Sequence, residues 1–180
     1  MNYSEVPYTT FLHQTLSLLT DPGLLLVAAD DQGRPNAMTI GWGTVGVIWG
    51  KPIFTVLVRP SRFTYGHLEA SDSFTVCVPS PEFYKAVSFC GTRSGRDQDK
   101  FKACGLKPLP STQISAPGIE GCPLIYECQT VHTNDVQPAT LASSIQTSVY
   151  RSGDFHRIYY GEIRAVRALP NAAGLLAMPS

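Results

Sequence analysis

The sequence predicts a mainly β protein, in which an antiparallel barrel carries short helical insertions. Several apolar or β-branched runs of strand length are bounded by turn residues, and only three or four short helical stripes lie between them. The strands do not alternate regularly with helices, which favours an antiparallel barrel over a doubly wound parallel sheet. Neither a G-x-G-x-x-G nor a G-K-[ST] motif is present, so a Rossmann or nucleotide-triphosphate fold has no motif support.

The N-terminal part predicts one helix and a hairpin. Residues 8–20 carry leucines at helical spacing, and Asp21-Pro22-Gly23 ends the stripe. Residues 24–29 form a continuous apolar run, and residues 36–42 form a second strand. The segment between them is rich in glycine and short polar side chains, which are typical of a turn.

The remaining elements follow from the same signals. Pro81 suits the first turn of a helix, and Gly105 suits the end of the following one. Prolines and a glycine predict a loop over residues 107–118, and residues 170–180 read as a loose tail. Further strands are predicted at residues 52–58, 73–78, 123–132 and 157–169, and further helices at residues 63–70, 81–89 and 97–104.

Composition limits the classes of function. The chain has 180 residues, the size of one domain, and its 43% hydrophobic and 16% charged residues predict a globular fold. Fourteen basic residues balance fourteen acidic ones, which disfavours non-specific nucleic-acid binding. No apolar run approaches the length of a membrane helix, and the N-terminus lacks a secretory pattern. The five cysteines include no C-x-x-C pair, so we expect reduced thiols, no metal site and a cytoplasmic location.

The first candidate site follows the strand over residues 52–58. Arg59, Ser61 and Arg62 offer two guanidinium groups and a hydroxyl in a turn that Pro60 stiffens, and Tyr65 adds another hydroxyl one turn later. A phosphate monoester is held by such groups together with the N–H groups at a helix start. The alternative left open here is a pair of ordinary surface cations after a strand.

The second candidate site is the segment over residues 90–100, which is rich in hydroxyls, glycines and cations. Its glycines permit tight turns and its hydroxyls suit helix capping, so a simple capping loop with solvated charges is the alternative. Cys90 is either an apolar lining residue or a redox-active thiol. The candidate residues of this segment are Cys90, Gly91, Thr92, Ser94, Gly95 and Lys100.

The segment over residues 38–42 is the candidate for holding a planar ring. It places apolar surface and backbone groups, from Met38, Thr39, Ile40 and Trp42, on a strand beside the first site. Trp42 is either a core residue or a stacking residue. His156 lies in a turn that enters a strand, where it is structural, a substrate contact or a weak catalytic candidate.

Five ordered motifs resemble the flavin reductase-like, FMN-binding split-barrel proteins, the group that includes flavoredoxin. The resemblance runs from about residue 20 to about residue 168, while residues 107–122, 137–150 and 170–180 match no motif of the group. The motifs are Asn36–Gly43, Val47–Pro52, Val58–Tyr65, Cys90–Asp97 with Asp99–Phe101, and Gly153–Arg157 with Gly161–Ile163.

The resemblance implies a split β-barrel of the antiparallel Greek-key type, with short helices, that forms a homodimer and holds one FMN per subunit near the dimer interface. It implies an oxidoreductase that takes electrons from NADH or NADPH and passes them from FMN to a small acceptor. By position, the strand at Thr39–Trp42 matches the ring side, the turn at Arg59–Tyr65 matches the phosphate and ribityl side, and the segment at Cys90–Lys100 matches the second wall. A flavin-binding electron carrier without a nicotinamide site, or a plain flavin-binding module, is the alternative function.

Overall fold

The computed structural model describes residues 2–177, and strands are its largest class of regular structure. Runs of β-branched and other apolar residues, bounded by turn residues, form these strands. Within the described residues the strands are β1 (Ser4–Glu5), β2 (Leu24–Ala29), β3 (Pro35–Ile40), β4 (Gly43–Ile48), β5 (Lys51–Val58), β6 (Ser73–Val78), β7 (Pro108–Leu109), β8 (Gly118–Ile119), β9 (Leu124–Asp135) and β10 (Arg157–Ala168).

The helices are short and lie between the strands. Asp99 caps one of them, since its carboxylate accepts a hydrogen bond from the backbone N–H of Lys102. A 3-10 turn at Pro81–Phe83 and another at Pro138–Thr140 accompany them. The helices are α1 (Leu12–Thr20), α2 (Phe63–Ala70), α3 (Tyr84–Thr92), α4 (Lys100–Cys104), α5 (Ser143–Val149) and α6 (Ala172–Leu175).

One antiparallel sheet contains eight of the strands, in the order β3-β2-β6-β9-β10-β5-β4 with β1 paired to β10. The predicted hairpin of β2 and β3 is confirmed, and its register pairs Leu24 with Ile40. Strands β3 and β4 follow each other in sequence but lie at opposite ends of this order. As a result, β3 is hydrogen-bonded to a neighbouring strand on one side only, which leaves an edge beside the candidate site.

The central strands are buried on both faces, which explains why β2 is apolar at every position. Leu24 and Leu26 pack in one core cluster with Phe54 and Tyr126, and the alternate side chain Leu25 packs in a second cluster beneath α3 and α4. All six residues of β2 are therefore buried, and so are all six of β6. A continuous apolar run is what burial on two faces requires.

Several element boundaries differ from the sequence predictions. The first helix begins at Leu12 rather than residue 8, because Phe11 adopts a left-handed backbone conformation with φ 61°. The helix predicted over residues 97–104 begins only at Lys100. Strand β4 and helix α5 were not predicted, and the loop over residues 107–118 contains the short strands β7 and β8.

The interpretation of residues 170–180 as a loose tail is wrong for the part that the structure describes. Helix α6 lies there, and Ala172 and Leu176 are buried in the first core cluster. Apolar contacts with the barrel thus hold this segment in place, although its sequence carries no strong helical stripe. Residues 178–180 lie outside the described part of the chain.

The described helices are all too short or too polar to cross a bilayer. All five cysteines are free thiols, and four of them are buried.

Candidate functional site

A cavity of about 430 Å³ lies where the predicted segments meet. This volume is within the range of small-molecule and cofactor sites, about 300–1,000 Å³. Its walls come from the edge strand β3, the turn after β5, the first residues of α2, the end of α3 and the loop before α4. Among the predicted site residues, those that line it are Met38, Thr39, Ile40, Trp42, Arg59, Ser61, Arg62, Cys90, Gly91, Thr92, Ser94, Gly95, Lys100 and His156.

Tyr65 is the exception among the predicted site residues. Its ring packs 6.4 Å from that of Tyr159, and the guanidinium of Arg157 lies 5.6 Å above it. The helical period explains this placement: Phe63 and Thr64 of α2 line the cavity, and the next side chain is turned away by about 100°. Burial among these groups raises the pKa of the Tyr65 hydroxyl.

The cavity is strongly cationic. Its lining contains five cations and, among the residues that the structure describes, no carboxylate. The guanidinium of Arg62 has no hydrogen bond to a described residue, yet its charge lowers the pKa of both Lys100 and His156, after burial has made the larger contribution. The cations are Arg59, Arg62, Arg93, Arg96 and Lys100.

Three of these cations donate hydrogen bonds within the protein, and two of them do so twice. Lys100 is buried, and its ammonium donates 2.9 Å hydrogen bonds to the carbonyl oxygens of Ala37 and Cys90. Arg59 donates to the carbonyl oxygens of Val149 at 3.1 Å and of Asp154 at 3.3 Å. Their charges act on the cavity, while two of the three N–H donors of Lys100 and two of the five of Arg59 are used within the fold.

The second wall differs locally from the sequence prediction. The sequence predicts that the preceding helix ends at residue 89, whereas Cys90, Gly91 and Thr92 form the last turn of α3. The Thr92 hydroxyl donates to the carbonyl oxygen of Ser88 at 2.8 Å. Cys90 is buried, and burial raises the pKa of its thiol to about 12, which describes an apolar lining thiol and not a reactive thiolate.

Close backbone approach explains both glycines of this wall. A Cβ atom on Gly91 would lie 3.2 Å from the Cβ of Thr39, whose hydroxyl donates to the carbonyl oxygen of Val87. A Cβ atom on Gly95 would lie 2.5 Å from Cδ1 of Phe63. A side chain at either position would therefore have to displace a neighbouring group where the second wall packs against β3 and α2.

His156 and Trp42 form another part of the cavity lining. Their rings are 4.9 Å apart, and His156 Nδ1 lies 2.7 Å from the hydroxyl of Tyr150. Nε2 has no hydrogen bond to a described residue and is not fully buried, so it is open to the cavity that His156 lines. Burial, with Arg59 next, lowers the pKa of His156 to about 4, so the ring is neutral near pH 7.

Sequence reasoning missed several residues of this site. Arg93 and Arg96 lie between the glycines and hydroxyls already singled out, and their charges were a usable signal. Arg96 donates to the carbonyl oxygen of Ser61 at 3.0 Å and lies 5.7 Å above the ring of Phe63. Tyr150 carried no signal, because nothing local indicated that its hydroxyl would reach His156.

The flavin reductase like domain model matches residues 20–178 of this chain. The chain belongs to this family. An uncharacterised protein of Archaeoglobus fulgidus is 30% identical over 108 residues, which cover 60% of this chain and 60% of that protein. The match therefore spans less than two thirds of that relative.

Solved structures of the family share the fold. Flavoredoxin of Desulfovibrio vulgaris superposes with a TM-score of 0.66 at 24% identity, over 83% of this chain and 70% of that one. An FMN-binding domain of a flavin reductase-like enzyme from Shewanella baltica gives 0.65 at 21%, over 93% and 77%. A putative flavin reductase with a split barrel domain from Shewanella frigidimarina gives 0.66 at 18%, over 95% and 81%. The expected mainly β split-barrel fold is confirmed.

Proposed function

We propose that this chain is one FMN-binding domain that acts as an NAD(P)H-dependent oxidoreductase and reduces a small acceptor. The observation that carries the proposal is the cavity itself, in a chain of the flavin reductase-like family. Its lining combines five cations with an open strand edge, Trp42 and His156. A ligand that carries both a phosphate and a planar heterocycle matches this combination.

The phosphate end is the turn after β5 together with the start of α2. Arg62 precedes this eight-residue helix, and the backbone N–H groups of Phe63 and Thr64 have no acceptor among the described residues. A helix N-terminus favours an anion, and each charge-assisted hydrogen bond contributes about 1.5–3 kcal/mol. We therefore assign the phosphate to Arg62 and this helix start, with Arg93 and Arg96 as further charges.

The ring end is the free edge of β3. From Met38 to Ile40 the strand pairs with β2 on one side only, so backbone groups of its other side are available to the edge of a flat, amide-like ring. Trp42 retains 46% of its surface exposed and can cover part of such a ring. FMN, when bound, accepts a hydride and passes electrons on, so the protein needs to bind, orient and shield it.

His156 is the group that we assign to the second substrate. Its neutral ring offers Nε2 to the cavity, while Tyr150 holds Nδ1. One cavity-facing nitrogen can hold a nicotinamide or an acceptor by a hydrogen bond and fix its position over the ring. This arrangement favours an oxidoreductase over an electron carrier, which needs no polar group at the open end of the cavity.

The proposal includes a homodimer and a cytoplasmic location. Exposed apolar side chains lie on the hairpin of β4 and β5 and on β9, which β10 separates from β5: Val47 is 63% exposed, Trp49 61% and Val131 41%. The ring of Trp49 also lies 5.8 Å from that of His132 on β9. A second copy of the chain covering this surface would bury the edge strand β4, and sedimentation velocity measures the resulting mass.

The decisive experiment is an absorbance spectrum of the purified protein, before and after reconstitution with FMN. Bound FMN gives a yellow protein, and anaerobic addition of NADH or NADPH then bleaches the flavin bands. A yellow protein that neither nucleotide bleaches would favour the electron carrier. A protein that stays colourless after soaking in FMN would overturn the proposal.

A further inference from the structure

Asp154 links two walls of the cavity without lining it. Its carboxylate accepts hydrogen bonds from both polar groups of Ser61, from the backbone N–H at 3.2 Å and from the hydroxyl at 2.6 Å. The guanidinium of Arg59 lies 3.9 Å from the same carboxylate and donates to the Asp154 carbonyl oxygen. Ser61 and Arg59 line the cavity, whereas Asp154 lies behind them.

The segment that carries Asp154 also carries both members of the His156 hydrogen bond. Tyr150 precedes Asp154 by four residues and stacks on Phe155 with ring centroids 4.7 Å apart. Arg59 adds a second connection, since it donates to the carbonyl oxygen of Val149 and lies 5.2 Å above the ring of Tyr150. The turn after β5 is therefore bound to residues 149–156 at three successive points.

The backbone of Asp154 adopts an unfavourable conformation where it makes these contacts. Its φ of 57° is in the left-handed region, which aspartate tolerates better than most residues but which still costs free energy. The three hydrogen bonds and one ion pair made with Ser61 and Arg59 offset that cost, and they hold the segment in this conformation. Without the carboxylate, Ser61 loses the acceptor of both its donors.

We propose that Asp154 is a positioning residue that couples the turn after β5 to His156, so that the anion-binding turn and the His156 ring keep one fixed separation. The role in turnover rests on the proposed function, since only a ligand that contacts both groups benefits from a fixed distance. The coupling itself is a property of the protein alone and can be measured in it without any ligand.

The first test uses the protein without FMN. The ¹⁵N chemical shifts of the His156 ring report its tautomer and its hydrogen bond with Tyr150. The proposal predicts one fixed tautomer in the wild type, and averaged shifts in Asp154→Ala. Asp154→Asn keeps an acceptor for Ser61, so its His156 shifts should fall between those of the wild type and those of Asp154→Ala. This variant preserves the test if the alanine variant folds poorly. Asp135→Asn removes a carboxylate that pairs with Arg157 instead and is the matched control. Unchanged His156 shifts in both Asp154 variants would overturn the coupling.

The second test is a double-mutant cycle on the reduction rate in FMN-loaded protein. Asp154→Ala and His156→Gln should each slow reduction by NAD(P)H about tenfold, on the order of one hydrogen bond. The double variant should be no slower than the His156 variant, because the two residues act through one position. Additive losses would show that Asp154 acts elsewhere and would overturn the inference. If the wild type takes up no FMN, the proposed function fails, and the ligand-free measurement still decides the coupling.

Discussion

The ammonium of Lys100 lies 2.9 Å from the carbonyl oxygen of Ala37, so a cation from α4 is joined to the edge strand β3. The same group also donates to Cys90 at the end of α3, and one buried charge thus connects three elements around the cavity. Burial lowers the pKa of this ammonium, and two carbonyl dipoles are the acceptors that it retains.

Lys100→Met is therefore expected to act on stability first. Removing the ammonium leaves two buried carbonyl oxygens without their donor, which costs about 1–3 kcal/mol each at most. We expect the free energy of unfolding in urea to fall by about 2–4 kcal/mol, and the affinities for FMN and riboflavin to fall together. Lys102→Met, on the exposed side of α4, is the control. A selective loss of FMN affinity would instead place Lys100 on the phosphate.

Arg62→Met tests the phosphate end. Arg62 donates to no described residue, whereas Arg59 uses two of its five N–H donors on Val149 and Asp154. We expect the Kd for FMN to rise about 10–100-fold while that for riboflavin, which lacks the phosphate, is nearly unchanged. Fluorescence titration measures both ligands.

Two further variants complete this comparison. Arg34→Met makes the same change of net charge in the turn between β2 and β3, and it should leave both affinities as they are. Arg59→Met is expected to lower stability more than it lowers the preference for FMN over riboflavin. Equal losses of both ligands in Arg62→Met would remove that residue from the phosphate site.

His156 predicts a slope in the pH dependence of stability. Its pKa is lowered from 6.5 to about 4, first by burial, then by Arg59 and Arg62, while Asp154 opposes them. Because the unfolded chain binds the proton more readily, stability is full above pH 6.5 and falls as the pH drops towards 4. The loss reaches about 3 kcal/mol at most.

Urea unfolding at several pH values measures this slope. His156→Gln should be less stable than the wild type near pH 7 and should lack the part of the slope between pH 6.5 and 4. His13→Gln, at an exposed position of α1, should retain it. The carboxylates that titrate in the acid range are common to all three proteins, so they cancel in the comparison. An unchanged slope in His156→Gln would contradict the prediction.

Gly95→Ala tests the packing of the second wall on α2. The new methyl group would lie 2.5 Å from the ring of Phe63, so either the loop or the ring has to move. We expect a loss of about 1–3 kcal/mol in stability, and weaker binding of FMN and riboflavin alike. Gly66→Ala is the matched control, since open space surrounds its Cβ in α2 and alanine favours a helix by up to about 1 kcal/mol. Normal binding in a stable Gly95→Ala protein would show that this contact does not shape the site.

Local patterns in the sequence were sufficient for the main strands and for the segments of the site. The apolar run at β2 and the turn after it predict the first hairpin, and the cluster of arginine, proline and serine after β5 predicts an anion site because two guanidinium groups and a hydroxyl lie together in one turn. Five motifs in order then identify the family. Each of these signals is carried by residues that are close together in the sequence, so it can be recognised without knowledge of the fold.

The use of each side chain was decided by contacts between distant parts of the chain. Arg59 and Arg62 cannot be told apart in the sequence. In the structure Asp154, which lies about ninety residues later, accepts a hydrogen bond from Arg59 and none from Arg62. The sequence predicts that Tyr65 belongs to the binding site, but the helical period of α2 turns its ring towards Tyr159. Strand pairing and the packing of α6 are likewise set by burial against remote residues. The sequence by itself determined which chemistry is present and along which strands it lies, and only the tertiary structure decided which donors remain for a ligand, because a hydrogen bond within the fold removes its donor from the site.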